Sequence, residues 1–490
     1  MVWVAAMFLM PLLTGLLAGL TKNQRQCELR QAAGAGLTLV SAGLTAAQVM
    51  TGQPLSLWQN VIYIDALGAF NILLIALVGF IAAVYSVGYL RHDVAELTLS
   101  VRQIRFYYLF FHFFILTMLA VSAVNSLGLL WVGIELTTLI SAVLVAFYGK
   151  QNALEAAWKY LIMGSVGIAF ALLGIIFLYL SGIHTLGQHS SALNWTALVQ
   201  VAGELNAGWV KTGFIFILIG FGTKAGLAPM HFWLPDAHSQ APSPISAVLS
   251  GVLLNTALYG LFRVYAIANV TLEGQAAQYL IFFGLLSIAF TVPFIMVQHD
   301  LKRMLAYSSV EHMGIITLSV GIGGALGLYG AFLHMFNHSM AKSLLFFAAG
   351  TICQRYHSKQ MHRITGLLKA MPVTGGIFLL AAVAITGAPP FNIFLSELTI
   401  MMAGFQADQV WVSALLVALI SLIFAGMMYY MIKMVFGEAP AKLPKLAVSR
   451  WSTIALIIPL ALVVLCGWYI PPVLDDTLSQ AAGVLQEAGK

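Results

Sequence analysis

The chain has 490 residues, 60% of them hydrophobic and 8% charged, with a mean hydropathy of +0.92. No water-soluble domain of this length carries so little charge, so composition points to a polytopic membrane protein. The formal charge of +6 is scattered singly between apolar runs, which fits membrane orientation and anionic lipid and speaks against nucleic-acid binding.

A helix needs about 20 apolar residues to cross the hydrocarbon core. Fourteen stretches meet that measure: 2–21, 32–50, 65–90, 106–125, 127–148, 157–181, 210–235, 245–269, 277–297, 303–323, 325–353, 372–388 continuing to 406, 410–436 and 452–470. The first lacks a basic leading region and a cleavage site, so it is expected to be a span and not a removed signal.

Counted from the N-terminus, the odd loops carry Lys22, Arg25 and Arg30; Arg91, Arg102 and Arg105; Lys150; Lys302 and Arg303; Arg355, Lys359, Arg363 and Lys369; and Lys442, Lys445 and Arg450. The even loops, including 184–209, hold almost none. The positive-inside rule then puts the odd loops in the cytoplasm and both termini on the outer side. Arg263 and Lys150 are read with the loop charges as topology determinants.

Cysteine is limited to Cys27, Cys353 and Cys466, with no close pair. That excludes iron–sulfur, nickel–iron and cysteine-based zinc centres, and no phosphate-binding glycine loop occurs, so no cofactor is expected in this chain.

Spans four to eight and nine to thirteen compare helix by helix. The second helix of each set carries a glutamate, Glu135 and Glu311; the third a lysine, Lys159 and Lys342. The fourth is interrupted by proline beside a charge, Lys224 with Pro229 and Glu397 with Pro389 and Pro390. Five helices per set would put the sets in opposite orientation, as inverted repeats with broken helices. The expected organisation is a three-helix segment over 1–105, one repeat over 106–269, its inverted partner over 277–436, and a final helix and tail over 437–490.

Proline inside a helix frees carbonyls, which the bilayer centre tolerates only where the break is buried in protein or wet. Glu135, Lys224, Lys342 and Glu397 all fall in apolar spans, and four such charges cost on the order of 10–14 kcal/mol. Packing could account for one ion pair; four charges in matching places point to an ion path. A buried lysine is pushed toward neutrality by desolvation and back by a nearby carboxylate, so Glu135 and Lys224 would form a switchable pair.

His334, His338 and Lys342 recur every four residues and so share a helix face about 12 Å long. Imidazoles relay protons near neutral pH. A zinc pair has the same spacing but lacks an evident third ligand, and histidines fixed by bonds to neighbouring helices are the plainer alternative. Asp65 opens the third span as a cap or a proton carrier. Asp236, His231 and His238, at the end of the broken seventh span, either admit protons or line a polar turn. His112 and the many aromatics are read as packing.

These residues lie in long motifs. The segments "TKAGLAPMHFWLPDAHSQAPSPISAVLSG", "QHDLKRMLAYSSVEHMG", "HMFNHSMAKSLLF" and "GAPPFNIFLSEL" resemble those of the antiporter-like membrane subunits shared by respiratory complex I, Mrp-type sodium/proton antiporters and membrane-bound NiFe hydrogenases. The resemblance covers essentially the whole chain and is strongest to the component F branch of the hydrogenase-4 and formate hydrogenlyase group. It implies a fourteen-helix subunit of a bacterial or archaeal inner membrane that moves protons. Coupling would run through neighbouring membrane subunits to a peripheral redox module, a NiFe hydrogenase with iron–sulfur proteins.

By the same resemblance, Glu135 and Lys224 are the coupled pair, and Lys159, His334, His338, Lys342 and Glu397 are the remaining proton-transfer residues. Two departures stand out. Asn255 and Ser250 occupy the eighth span where relatives carry a lysine or histidine, and only about twenty residues follow the last span, too few for a long lateral helix. An Mrp-type sodium/proton antiporter subunit without a redox partner is the alternative function, and a non-conducting scaffold a third.

Overall fold

The computed structural model describes residues 1–97, 99–187, 190–440, 443 and 448–488. Lys442 and Lys445, read above as loop charges, lie outside the described residues.

Among the described residues, helices or broken helices stand at all fourteen expected spans. The first six are Val2–Leu20, Gln24–Met50, Ala66–Leu97, Val101–Val121, Leu127–Val145 and Gln151–Leu186. The seventh is split into Ala207–Ala225 and Trp233–Gln240. The eighth runs Ser243–Thr271, the ninth Gln275–Met296, the tenth Leu301–Ile322 and the eleventh Gly324–Tyr356. A second split gives Pro372–Ile385 and Asn392–Gln406, followed by Val410–Phe436 and Arg450–Trp468.

Helix starts follow local chemistry. Asn23, Asn206, Asp300 and Ser449 each accept a hydrogen bond from a backbone N–H in the first turn, and Ser100 with Gln103 forms a reciprocal capping box, satisfying donors that a helix leaves open. The sixth span exceeds its expected limits at both ends, 36 residues against 157–181, because hydropathy marks only the lipid-facing length of a helix that continues into the loops.

Ten of these helices combine at least 18 residues with sustained high hydropathy and at most two charges in the apolar stretch. The other four crossings are the seventh, tenth, eleventh and twelfth, and they hold Lys224, Glu311, Lys342 and Glu397. Helix order also sets depth. The apolar stretch of the eighth span is 100% buried and those of the first and fourteenth only 33%, so the eighth is the axis around which the polar spans gather. A π-helical turn at Leu249–Leu253 interrupts it beside Ser250.

Both breaks close on a glycine in the left-handed region, Gly226 at φ +79° and Gly387 at φ +73°, a conformation that L side chains rarely adopt. At the first break the freed groups find partners. Leu227 N bonds Gly222 O at 2.8 Å, Trp233 Nε1 bonds Thr223 O at 2.8 Å, and Ala228 N bonds Ser287 Oγ at 2.9 Å. That is how irregular backbone survives at membrane depth.

Two features add to the all-α expectation. A short antiparallel hairpin pairs Leu55–Leu57 with Ile62–Ile64. After the last span, an amphipathic helix, Pro472–Glu487, folds back onto the third and eleventh spans, where Tyr329 donates to Asp475 at 2.5 Å.

Candidate functional site: a buried row of ionisable groups

Lys224 occupies the last turn before the first break and is 1% exposed. Its ammonium donates to Thr138 Oγ1 at 2.7 Å and Tyr160 Oη at 2.6 Å. Glu135 is half-buried and accepts from Ser165 Oγ at 2.7 Å and from Thr138 Oγ1 at 3.3 Å. The expected Glu135–Lys224 pair is therefore bridged and not direct: the Thr138 hydroxyl stands between carboxylate and ammonium. Positions 135 and 138 lie one turn apart on the fifth span, which is why one helix can present both. Tyr160 passes its own hydrogen to Ser141 Oγ at 2.8 Å, since Ser141 donates onward to Thr137 O. Its ring stacks on Trp233, with centroids 4.4 Å apart, and so fastens the second half of the seventh span over the lysine.

At mid-bundle Lys342 is fully buried; it donates to Leu305 O at 2.8 Å and to Ser308 Oγ, both on the tenth span. Ser250 and Ser309 share a hydrogen bond of 2.8 Å. Asn255, standing where relatives were expected to carry a basic residue, gives its amide hydrogens to Gly251 O and Ser339 Oγ, both at 2.9 Å. Its Oδ1 is buried with no protein partner, the kind of acceptor that an internal water satisfies.

The second half of the row can be polarised from its hydrogen bonds. Ser396 donates to Ile393 O at 2.8 Å, so its oxygen accepts from His334 Nδ1 at 2.9 Å. His334 Nε2 is then a lone pair and accepts from His312 Nδ1 at 2.9 Å, leaving His312 Nε2 as a buried acceptor without a partner. Two imidazoles and a hydroxyl thus form a wire pointing one way. Glu397, 3% exposed, packs against Gly387 at the second break. Glu311 is likewise buried, 4% exposed, on the same helix as His312. His338 faces His312 with ring centroids 5.1 Å apart, and both of its nitrogens are unpartnered.

His312 was missed in the sequence although it lies in the quoted "YSSVEHMG". Glu311 is the residue that the repeat aligns with Glu135, and a residue one position on points about 100° away, toward a partner on another helix. His312, His334 and Glu397 also bring candidate ligand atoms within 4.8 Å of one another, the third ligand that the "HMFNH" spacing lacked. They could gather a divalent ion. The direct nitrogen-to-nitrogen bond and the Ser396 contact already use the facing atoms of His334, so the arrangement reads as a relay.

Other expected residues lie elsewhere. Lys159 does not join the buried row: its side chain is 50% exposed and pairs with Glu155 at 2.6 Å and Asp236 at 3.3 Å. Asp236 also pairs with Arg303. The helical register explains it, because Tyr160, one position on, takes the inward face instead. His231 is 1% exposed among Phe232, Phe290 and Tyr307, with both nitrogens unpartnered.

Asp65 caps the third span by accepting from Gly68 N at 2.9 Å, and it also grips Arg263 through two bonds of 2.6 Å. Arg263 is thus no loop charge. It is 3% exposed inside the eighth span, flanked by Trp195 and Tyr259 at 4.3 and 4.9 Å from their ring centroids. Lys302, counted among the loop charges, is also 3% exposed and donates to Ala241 O at 2.6 Å.

Comparison with known proteins agrees with this architecture. Residues 124–423 match the family described as "NADH:quinone oxidoreductase/Mrp antiporter, TM", and residues 59–96 match "NADH-Ubiquinone oxidoreductase (complex I), chain 5 N-terminus". The chain is 39% identical over 410 residues to the hydrogenase-4 component F homolog of Methylacidiphilum infernorum, covering 84% of this chain and 85% of that one. Among solved structures, a chain of the archaeal membrane-bound sulfane sulfur reductase superposes with a TM-score of 0.87 at 24% identity, over 99% of this chain and 98% of that one. A chain of the Mrp complex from Dietzia sp. DQ12-45-1b superposes with a TM-score of 0.87 at 18% identity, over 100% and 99%.

Proposed function

Because the chain belongs to the family of antiporter-like membrane subunits shared by NADH:quinone oxidoreductases and Mrp antiporters, we propose that it carries protons across a bacterial or archaeal cytoplasmic membrane, driven by a hydrogenase-type redox module. The observation that carries this reading is the set of buried titratable groups in the spans that hold or lie between the two helix breaks, Lys224, His238, Lys342, His312, His334 and Glu397, the last three of which bring their ligand atoms within 4.8 Å of one another. Groups of that kind are kept at membrane depth for ion movement. The similarity to a hydrogenase-4 component F homolog favours a redox partner over a free-standing antiporter. Both termini would face outward, with the basic loops in the cytoplasm.

In this mechanism Lys224 is the first store. With Glu135 ionised, its field, passed through the Thr138 hydroxyl, holds the lysine protonated. When a neighbouring subunit draws that field away, the ammonium in its dry pocket releases its proton. Transfer proceeds toward Lys342, aided by water at Asn255 Oδ1. A proton arriving at His312 Nε2 displaces the one on Nδ1 to His334 Nε2, and His334 Nδ1 gives up its own toward the second break, where Glu397 receives it. Moving each proton against 100 mV takes about 2.3 kcal/mol, within reach of modest changes in such pairings.

Proton uptake by inverted vesicles holding the assembled complex tests this reading. Lys224→Ala and Glu397→Gln should each lower uptake by about tenfold or more. Wild-type rates in both variants, with normal assembly, would remove the assignment. Sodium-dependent proton exchange that persists without any electron donor would favour the Mrp-type alternative.

A further inference from the structure

At the end of the bundle that carries the basic loops, a cavity of about 300 Å³ opens between the third span, the connection from fifth to sixth, the connection from seventh to eighth, and the end of the eleventh. Asp93, Glu96, Tyr148, Lys302 and Lys359 line it. A separate polar cavity of about 340 Å³, lined by Lys159, Asp236 and Arg303, lies across Gln240, which borders both. Lysines that merely fix topology reach into headgroups. Lys302 does the opposite: it is 3% exposed, on the first turn of the tenth span, with its ammonium on Ala241 O.

One turn deeper on the same helix, about 4.5 Å along the axis, Leu305 O and Ser308 Oγ hold the Lys342 ammonium. His238 is the third member. It is fully buried; its ring centroid lies 5.8 Å from that of Phe346, one turn beyond Lys342 on the eleventh span, and Ala241, whose carbonyl holds the Lys302 ammonium, follows it by three positions. Its Nδ1 lies 2.8 Å from Leu234 O; a carbonyl only accepts, so Nδ1 carries the hydrogen and Nε2 presents a lone pair. That Nε2 has no protein partner. At the mouth, Lys359 donates to Ser239 O at 2.5 Å, and burial lowers its pKa from the ordinary lysine value.

Resting on the proton-carrying role proposed above, we infer that this cavity is a second proton entrance, one that feeds Lys342 directly without passing Lys224, with Lys302 as the carrier at its floor and His238 as the relay. An N–H bond of the Lys302 ammonium breaks and an N–H bond forms on His238 Nε2. The imidazolium then returns one proton to a neutral Lys342 amine, and the neutral Lys302 is reloaded from cavity water beside Asp93 and Glu96. This arrangement gives the half of the row that lacks an eighth-span base its own supply.

Lys302→Arg separates a carrier from a structural cation, because arginine keeps the charge and the bond to Ala241 O but does not give up its proton near neutral pH. In vesicles with the assembled complex it should lower donor-driven proton uptake by about fivefold or more, because each turnover loads both Lys224 and Lys342 and stalls when either stays empty. A second test needs no change at Lys302. Ser358→Cys in a Cys353→Ala background puts a thiol on the cavity wall, and a bulky charged methanethiosulfonate then plugs the opening, with a similar loss expected. This measurement decides the matter should Lys302→Arg fail to assemble. Wild-type uptake after plugging, while Lys224→Ala still abolishes transport, would overturn the second entrance alone. Unchanged uptake in Lys224→Ala as well would instead overturn the proton-carrying reading.

Discussion

Thr138 is a small residue in a consequential place. Its hydroxyl accepts from Lys224 and lies within hydrogen-bond reach of Glu135, so in the proposed mechanism it would pass the state of the carboxylate to the lysine without the two charges touching. A direct contact would lock them together. The bridge leaves the coupling open to a movement of the fifth span or of a subunit beside it. Thr138→Val keeps the shape and removes the hydroxyl. The expected result is a complex that assembles normally yet translocates about tenfold more slowly, measured as donor-driven acidification in vesicles; an unchanged rate would mean that Glu135 acts on Lys224 without the bridge. Legibility in the sequence divides along the same line. Lys224, Lys342 and Glu397 could be picked out because charge inside an apolar run is conspicuous by itself. Thr138, Tyr160 and His312 could not, since hydroxyls and a single histidine are ordinary in any helix until a partner from another helix stands opposite.

At the scale of the element, the third and eighth spans are joined by the Asp65–Arg263 pair, closed over by Trp195, whose Nε1 bonds Arg263 O at 2.8 Å. The eighth span is the axis of the bundle, so its rotation would move Ser250 and Asn255 relative to the tenth and eleventh spans. Holding it to the third fixes that register. Asp65→Asn leaves a buried guanidinium without its counter-charge and should destabilise the fold by about 3–5 kcal/mol, while Asp65→Asn with Arg263→Met should recover much of the loss. Thermal unfolding in detergent would show it. Equal melting of wild type and the single variant would mean that the pair contributes no net stability. From sequence, Asp65 looked like a cap and Arg263 like a loop charge; 198 positions separate them, and no local periodicity records such a pairing.

For the whole molecule, the lipid-facing helices and the half-buried Glu135 at the flank of the fifth span describe a subunit suited to work beside others. Relatives of the chain are components of larger assemblies. Under the proposed function, the protein purified in mild detergent should bring down further membrane subunits together with a peripheral redox module. Isolation as a single chain with full sodium-linked proton exchange would contradict that expectation.

What the sequence determined by itself was the solvent and the breaks: scarce charge and fourteen apolar stretches dictate a membrane bundle, and prolines with charges in the seventh and twelfth spans mark where its helices are interrupted. Those are local properties, set by the free energy of each segment in lipid. Only the tertiary structure decided which polar groups meet. It put Thr138 between Glu135 and Lys224, drew His312 into the row, left Lys159 at the surface and buried Arg263 and Lys302. The physical reason is that inward-facing side chains choose partners across helices, and the partner depends on rotation and depth within the bundle, which hydropathy along one helix does not encode.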